Sequence, residues 1–234
     1  MLSYKSIPVL INCRDQVSML RQQVEWLLSA GHQNIYLIDN ASTYTPLLEY
    51  LTSVRFDVTV VRLNENVGHL ALWEWDLLNR LKIRPPFVYS DPDMVPIQEC
   101  PQNLVEHLYD LLCSMPETRK VGCGIVYSDL PSCYAFRDQV VKWESQFWKV
   151  PVGRMAFRAA VDTTFAIYRD TGPFTLEAIR TNYPYVMRHL PWYLDSADPS
   201  EEQIYYQTHC KSGCTSWSDK NLPLYLEVAI ANLK

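Results

Sequence analysis

No apolar run in the 234 residues approaches the ~18 to 20 that a membrane-spanning helix requires, which excludes a chain built of bilayer helices. The opening Met1-Leu2-Ser3-Tyr4-Lys5-Ser6-Ile7-Pro8 lacks the charged-then-apolar pattern of a secretory signal. The expectation is a cytoplasmic protein, with peripheral attachment to a membrane left open. Also missing is a disulfide framework, because the seven cysteines are odd in number and scattered at 13, 100, 113, 123, 133, 210 and 214. Cys210 and Cys214, beside His209, form the one close pair that could suggest a metal, and without a second pair at ligand spacing they read as reduced thiols. Basic excess is absent too: 21 Lys plus Arg stand against 26 Asp plus Glu, a net charge of −5 with the wrong sign for a general nucleic-acid binder. No repeat, low-complexity tract or linker interrupts the sequence, so residues 1–234 read as one domain.

What is present is a globular balance, with 48% hydrophobic and 20% charged residues, which excludes disorder, collagen and coiled coil. Strand and helix patterns alternate. Ile7 to Asn12 is a short apolar strand, and Gln16 to Ala30 carries Val17, Leu20, Val24, Leu27 and Leu28 at helical spacing before Gly31 in the C-terminal cap position. Ile35 to Ile38 predicts a second strand, Thr45-Pro46 a short helix with the threonine as N-cap, and Asp57 to Leu63 a third strand. Leu70, Trp73, Leu77 and Leu81 mark one amphipathic helix, and Phe87-Val88-Tyr89 a fourth strand running into Ser90-Asp91-Pro92-Asp93.

Three strand-helix units in the first hundred residues predict a parallel, right-handed α/β sheet, whose ligands bind at the carboxyl ends of the strands. The polar sequences Asn12-Cys13-Arg14, Asp39-Asn40, Asn64 to His69 and Asp91-Pro92-Asp93 all follow strands and should gather on that edge. In the second half, Pro101 to Met115 reads as a helix with His107 on its surface, Val121 to Val126 as a strand, Gln139 to Trp148 as a helix and Arg158 to Tyr168 as a strand. Asp198-Pro199-Ser200-Glu201 opens a late helix with a capping box.

Asp91 and Asp93 leave an extended backbone on the same side, where two carboxylates repel unless a cation lies between them. Oxygen ligands of that kind suit Mg2+ or Mn2+. Taken alone, Asp-Pro-Asp is equally a turn.

Four stretches together carry a resemblance to a known family: Ile7 to Asn12 with the helix through Trp26-Leu27, Ile35 to Thr43, Leu63 to His69, and Val88 to Asp93. They resemble, in the same order, the nucleotide-sugar-dependent glycosyltransferases of the A-type (GT-A) fold, closest to the family-2-like group that inverts the anomeric centre. The resemblance implies a Rossmann-like, mostly parallel sheet flanked by helices, with residues 1–100 binding the nucleotide sugar and 101–234 the acceptor. It implies that Asn12, Cys13 and Arg14 border the nucleotide and that Asp39 receives hydrogen bonds from base or ribose. Asn66, Gly68 and His69 would also line the donor site, although a turn that needs glycine accounts for them equally. Asp93 would ligate the metal directly and Asp91 would stand nearer the ribose or a metal-bound water, with His189 as a third protein ligand. Arg188 beside it could neutralise the diphosphate, and Trp192 or Tyr193 could stack on a sugar. His32, His69, His107 and His209 have weaker cases as ligands.

Transfer to a hydroxyl requires a carboxylate or histidine that takes the acceptor proton. Asp162 is the first candidate, as a charge in an apolar strand that is costly unless paired or catalytic. Glu201 and Glu202 are weaker alternatives, because the first turn of a helix favours carboxylates without any catalytic reason. Ala160-Val161-Asp162-Thr163 does not match the family's acidic base motif, which leaves base and stereochemistry open. Trp143, Phe147 and Trp148 fall at helical spacing and read as core.

The expected activity is transfer from a nucleoside-diphosphate sugar, UDP being the commonest nucleotide of the resembled group, to a glycan, lipid-linked or small hydroxyl acceptor. A nucleotidyltransferase is the alternative, against which stands the lack of glycine in Asn12-Cys13-Arg14-Asp15-Gln16. A non-catalytic module on a decayed scaffold is a third reading.

Overall fold

The computed structural model describes residues 3–54, 57–210, 217 and 222–233. Strands β1 (Val9–Cys13), β2 (Ile35–Asp39), β3 (Val58–Arg62) and β4 (Phe87–Ser90) alternate with helices α1 (Ser18–Ser29), α2 (Thr45–Ser53), α3 (Ala71–Glu74) and α4 (Leu77–Arg80). Then follow β5 (Met94–Pro96), α5 (Leu104–Ser114), β6 (Lys120–Gly122), β7 (Gly124–Ile125) and α6 (Arg137–Ser145). Short strands β8 (Pro151–Val152), β9 (Ala156–Arg158), β10 (Ala166–Tyr168), β11 (Ile179–Thr181) and β12 (Val186–His189) precede helices α7 (Glu201–His209) and α8 (Leu224–Ala231).

Nine strands form one sheet in the order β3-β2-β1-β4-β10-β6-β11-β9-β8. The pairings make β10 and β9 the two reversed strands, so the sheet is mostly parallel. Alternation along the central strands divides the core between its two faces. Val9 and Ile11 of β1 pack with Ile35 and Leu37 of β2 and with Leu20, Val24 and Leu27 of α1. Leu10, Ile38, Phe87 and Tyr89 pack on the other face with Leu72, Leu77 and Leu78. Helices therefore cover both faces, as the strand-helix alternation predicts. Among the described residues, no helix is long and apolar enough to cross a membrane.

A second sheet, β5-β12-β7, lies beside the first. Its antiparallel pairing sets His189 opposite Met94, and Leu190 N donates to Asp93 O at 2.9 Å. This small sheet carries a residue from late in the chain to the end of β4.

Several local expectations are corrected. Leu70 to Leu81 is two single turns, because Asp76 between α3 and α4 takes φ 49 in the left-handed region. Thr45 is not the N-cap of α2; Tyr44 is, with no side-chain cap, and Asp15 Oδ1 fixes the approach to the helix by accepting from Thr43 N at 2.6 Å and Tyr44 N at 2.8 Å. The stretch 121–126 splits between the two sheets. The strand expected from Arg158 to Tyr168 is β9, a loop and β10, so Asp162 is an exposed loop residue. His107 is half-buried, its ring stacked 3.8 Å from that of Tyr185. Gly31, with φ +84, ends α1 as expected, and Ser200 caps α7 in a capping box with Gln203. Cys13, Cys100, Cys113, Cys123 and Cys133 are free thiols, while Cys214 lies outside the described residues.

Candidate active site

The carboxyl ends of β1 and β4 open into a cleft of about 410 Å³, and among the residues singled out in the sequence Asn12, Cys13, Arg14, Asn66, Gly68, His69, Asp91, Asp93, Asp162 and His189 line it. One wall of the cleft is a network of side-chain amides. Asn12 Nδ2 and Asn40 Nδ2 both donate to Gly68 O, at 3.1 and 2.7 Å, and Asn40 Oδ1 accepts from Val67 N at 2.9 Å. Asn66 Oδ1 accepts from Gly68 N at 2.9 Å in a turn where Gly68 has φ +82. Asn66 and Gly68 thus shape the wall. His69 stands exposed at the rim, its carbonyl receiving the Tyr89 hydroxyl at 2.7 Å. Arg14 Nη1 is tied to Asn40 O and Ala41 O at 2.7 and 2.8 Å.

Asp39 is placed differently. Its carboxylate is fully buried and does not line the cleft, with Oδ1 accepting from Ser42 N at 2.9 Å and Oδ2 3.4 Å from Arg62 Nε. Glu202 is also drawn elsewhere: Oε2 accepts from Val17 N at 2.9 Å and Oε1 from Ser18 Oγ at 2.6 Å, so it caps α1. Glu201 is exposed in the first turn of α7 and outside the cleft.

Where β4 ends, carboxylates crowd. Burial, then the charges of Asp93 and Asp162, push the Asp91 carboxyl well above the usual range. Thr163 Oγ1 donates to Asp91 Oδ2 at 2.9 Å. His189 Nε2 lies 3.4 Å from Asp93 Oδ2, while Asp93 Oδ1 and His189 Nδ1 are buried without a hydrogen-bond partner. Three carboxylates and an imidazole therefore line one cleft, and among them Asp93 Oδ1 and His189 Nδ1 are left to a partner from outside the chain. Among the described residues there is no ready-made group of three His, Cys, Asp or Glu side chains at metal-holding distances.

The neighbours of His189 divide. Trp192 is buried in the cleft wall, its ring 4.7 Å from the imidazole. Arg188 pairs with Asp129 and Tyr193 donates to Asp129 Oδ1, so neither lines the cleft. Trp143 lines it, whereas Trp148 packs against Phe157 and Tyr127.

Sequence reasoning missed the buried Glu144–Arg180 ion pair in the same wall, 1% and 5% exposed, with the Arg180 guanidinium 4.2 Å from the centre of the Phe147 ring. Burial raises the Glu144 carboxyl despite the opposing pull of Arg180. The available signal was a carboxylate set between Trp143 on α6 and Phe147 in the turn that follows it.

No protein-family model matches the chain, and no curated protein matches it. Among solved structures, the mannosyltransferase PcManGT from Pyrobaculum calidifontis, in complex with GDP-Man and Mn2+, is 13% identical and superposes with a TM-score of 0.52 over 96% of this chain and 69% of that one. The fold is that of the A-type glycosyltransferases. GalNAc-T7 with UDP, GalNAc and Mn2+ is 14% identical, with a TM-score of 0.46 over 78% of this chain and 43% of that one. A cytidylyltransferase from Leptospira borgpetersenii is 12% identical, with a TM-score of 0.40 over 70% and 60%. The last two lie below the level at which likeness fixes a fold, and this chain spans less than two thirds of either.

Proposed function

We propose that the protein is a metal-dependent glycosyltransferase that moves a sugar from a nucleoside-diphosphate sugar to a hydroxyl acceptor with inversion. The observation that carries this reading is the convergence of Asp93 and His189 beside Asp91 and Asp162 in one cleft at the carboxyl ends of parallel strands. Asp93 and His189, with Asp91 behind them, would hold Mn2+ or Mg2+, whose contribution when bound is Lewis-acid stabilisation of the departing diphosphate.

The chain's own residues do the rest. Asn12 and the wall formed by Asn66, Gly68 and His69 border the donor nucleotide, and the first hundred residues form the donor half. Asp39 acts on the donor indirectly, by shaping the Asp39-to-Ser42 turn that carries Asn40. Asp162 accepts the proton from the acceptor hydroxyl as its oxygen bonds to the anomeric carbon and the bond to the diphosphate breaks. Trp143, from the second half of the chain, lines the same cleft and is the aromatic side chain assigned to the acceptor. UDP is the first nucleotide to try, with GDP next because the mannosyltransferase with this fold was solved with GDP-Man.

The test is release of nucleoside diphosphate from a panel of UDP-, GDP- and dTDP-sugars with Mn2+. Release with at least one donor, abolished by EDTA and restored by excess Mn2+, is the expected result. No release from any donor, with no binding of any diphosphate, overturns the reading.

A further inference from the structure

Two cations are buried below the loop that carries Asp162. Lys120 on β6 is fully buried and Arg180 on β11 is 5% exposed. A buried charge is costly unless it is hydrogen-bonded, so the groups each one holds are informative. Lys120 Nζ donates to Val161 O at 2.6 Å and Thr175 O at 2.5 Å, between the rings of Phe174 and Tyr168 at 4.6 and 5.4 Å. Arg180 Nε donates to Ala160 O at 2.6 Å. On the far side of Asp162, Thr163 is bonded twice to Asp91: its hydroxyl donates to Oδ2 at 2.9 Å and its carbonyl accepts from Asp91 N at 3.1 Å. Residues 160, 161 and 163 are each fastened, and Asp162 between them is exposed in the cleft, its Oδ1 accepting from Thr163 N at 2.9 Å.

We infer that Lys120 and Arg180 are positioning residues: by holding the carbonyls of Val161 and Ala160 they fix where the Asp162 carboxylate stands relative to Asp91 and Asp93. This rests on the reading of Asp162 as the base. Residues 159–165 form no strand or helix of their own; Ala159 N and Val161 N donate to Ala178 O and Leu176 O at 3.2 and 2.9 Å, which anchors one side of the backbone and leaves the carbonyls of Ala160 and Val161 to the two cations. Hydrogen bonds from a charged donor are the strongest available hold on them. A brace serving stability alone could be built from apolar side chains, and these two cations instead hold consecutive carbonyls immediately before the base. A base must sit within hydrogen-bond reach of its proton, and a displacement of about 1 Å can cost on the order of 100-fold in rate.

Lys120→Met keeps the volume and removes both hydrogen bonds. Its release of diphosphate from the UDP-, GDP- and dTDP-sugar panel with Mn2+ is compared with wild type, alongside amide hydrogen exchange of residues 159–165. The expected result is a kcat lower by about 30- to 100-fold, a donor KM within about twofold, and faster exchange confined to that segment. Unchanged kcat with unchanged exchange overturns the inference and leaves the glycosyltransferase reading intact. A fall in kcat with faster exchange throughout the protein also overturns it, since that is general destabilisation. If wild type releases nothing from any donor, the base reading falls and the positioning role falls with it. Should Lys120→Met not fold, Lys120→Gln, which keeps an N–H donor, takes its place with the same criteria and a smaller loss.

Discussion

His189 Nε2 lies 3.4 Å from Asp93 Oδ2, a contact produced by the antiparallel pairing of β12 with β5. Neither residue is near the other in the chain, and the small second sheet brings them together. If the pair holds a divalent cation, stabilisation by a nucleoside diphosphate should depend on both. A ligand at ~100 times its Kd adds about 2.7 kcal/mol. Wild type should show a metal-dependent rise in Tm with UDP or GDP plus Mn2+, Asp93→Ala should lose the metal-dependent part, and His189→Ala should need more Mn2+ for the same rise. A full metal-dependent shift in Asp93→Ala would remove this pair from the metal site.

Glu202 and Asp162 should divide into a structural carboxylate and, on the proposed function, a chemical one. The N-cap of α1 is Val17, which has no side-chain acceptor, and Glu202 from α7 supplies it by accepting from Val17 N and Ser18 N. Glu202→Gln should lower stability by about 1 kcal/mol in urea denaturation, the usual worth of a cap, with kcat near that of wild type. Asp162→Asn should fold normally and lose about 10² to 10⁴ in kcat. The reverse pattern would move the base to α7.

His32 predicts an acid-sensitive fold. Its imidazole is 2% exposed with neither ring nitrogen hydrogen-bonded. Burial, aided by the charge of Lys5, lowers its pKa from 6.5 to about 4. Between those values the unfolded chain binds a proton that the folded chain refuses. The associated stability is therefore complete above about pH 6.5 and is lost as pH falls toward 4, by on the order of 3 kcal/mol. Urea midpoints at pH 7, 6, 5 and 4.5 should fall more steeply for wild type than for His32→Gln. Parallel slopes for the two proteins would show that His32 is protonated in the folded state.

The first hundred residues were legible because their signals are local. Val9, Ile11, Ile35 and Leu37 follow the two-residue period that assigns them to one sheet face, and Leu20, Val24 and Leu27 the helical period that covers it. Asp91 and Asp93 follow a strand directly, so their place on the sheet edge could be read without tertiary information. Asp39 is the last residue of its strand on the same edge, yet Ser42 N and Arg62 close over it, and nothing in the local pattern signals that closure. The apolar run around Asp162 suggests a continuous strand because burial of Val161 and Phe165 gives the same hydrophobic signature whether the segment is a strand or a loop held at Ala160 and Val161 by Arg180 and Lys120 and at Thr163 by Asp91. His189 was reached through resemblance rather than pattern.

Glu144 and Arg180 show what pattern reading cannot supply, since each alone is an ordinary charge on its element. Together they are a buried pair, and removing one partner leaves an uncompensated charge, typically at a cost of about 3 to 5 kcal/mol. Arg180→Met should fall in that range. Glu144 already has its carboxyl raised by burial, and loss of the guanidinium raises it further, so the folded variant holds a proton that the unfolded chain releases. The deficit should accordingly be smaller near pH 5 and grow as pH rises toward 8. Glu144→Gln in the same chain removes the orphaned charge and should recover stability at pH 8 while leaving the Ala160 carbonyl without its Arg180 donor. Urea denaturation of the single and double variants at pH 5 and 8, paired with diphosphate release, separates the two roles. Stability should return in the double variant and turnover should not; recovery of both would show that Arg180 serves the pair alone.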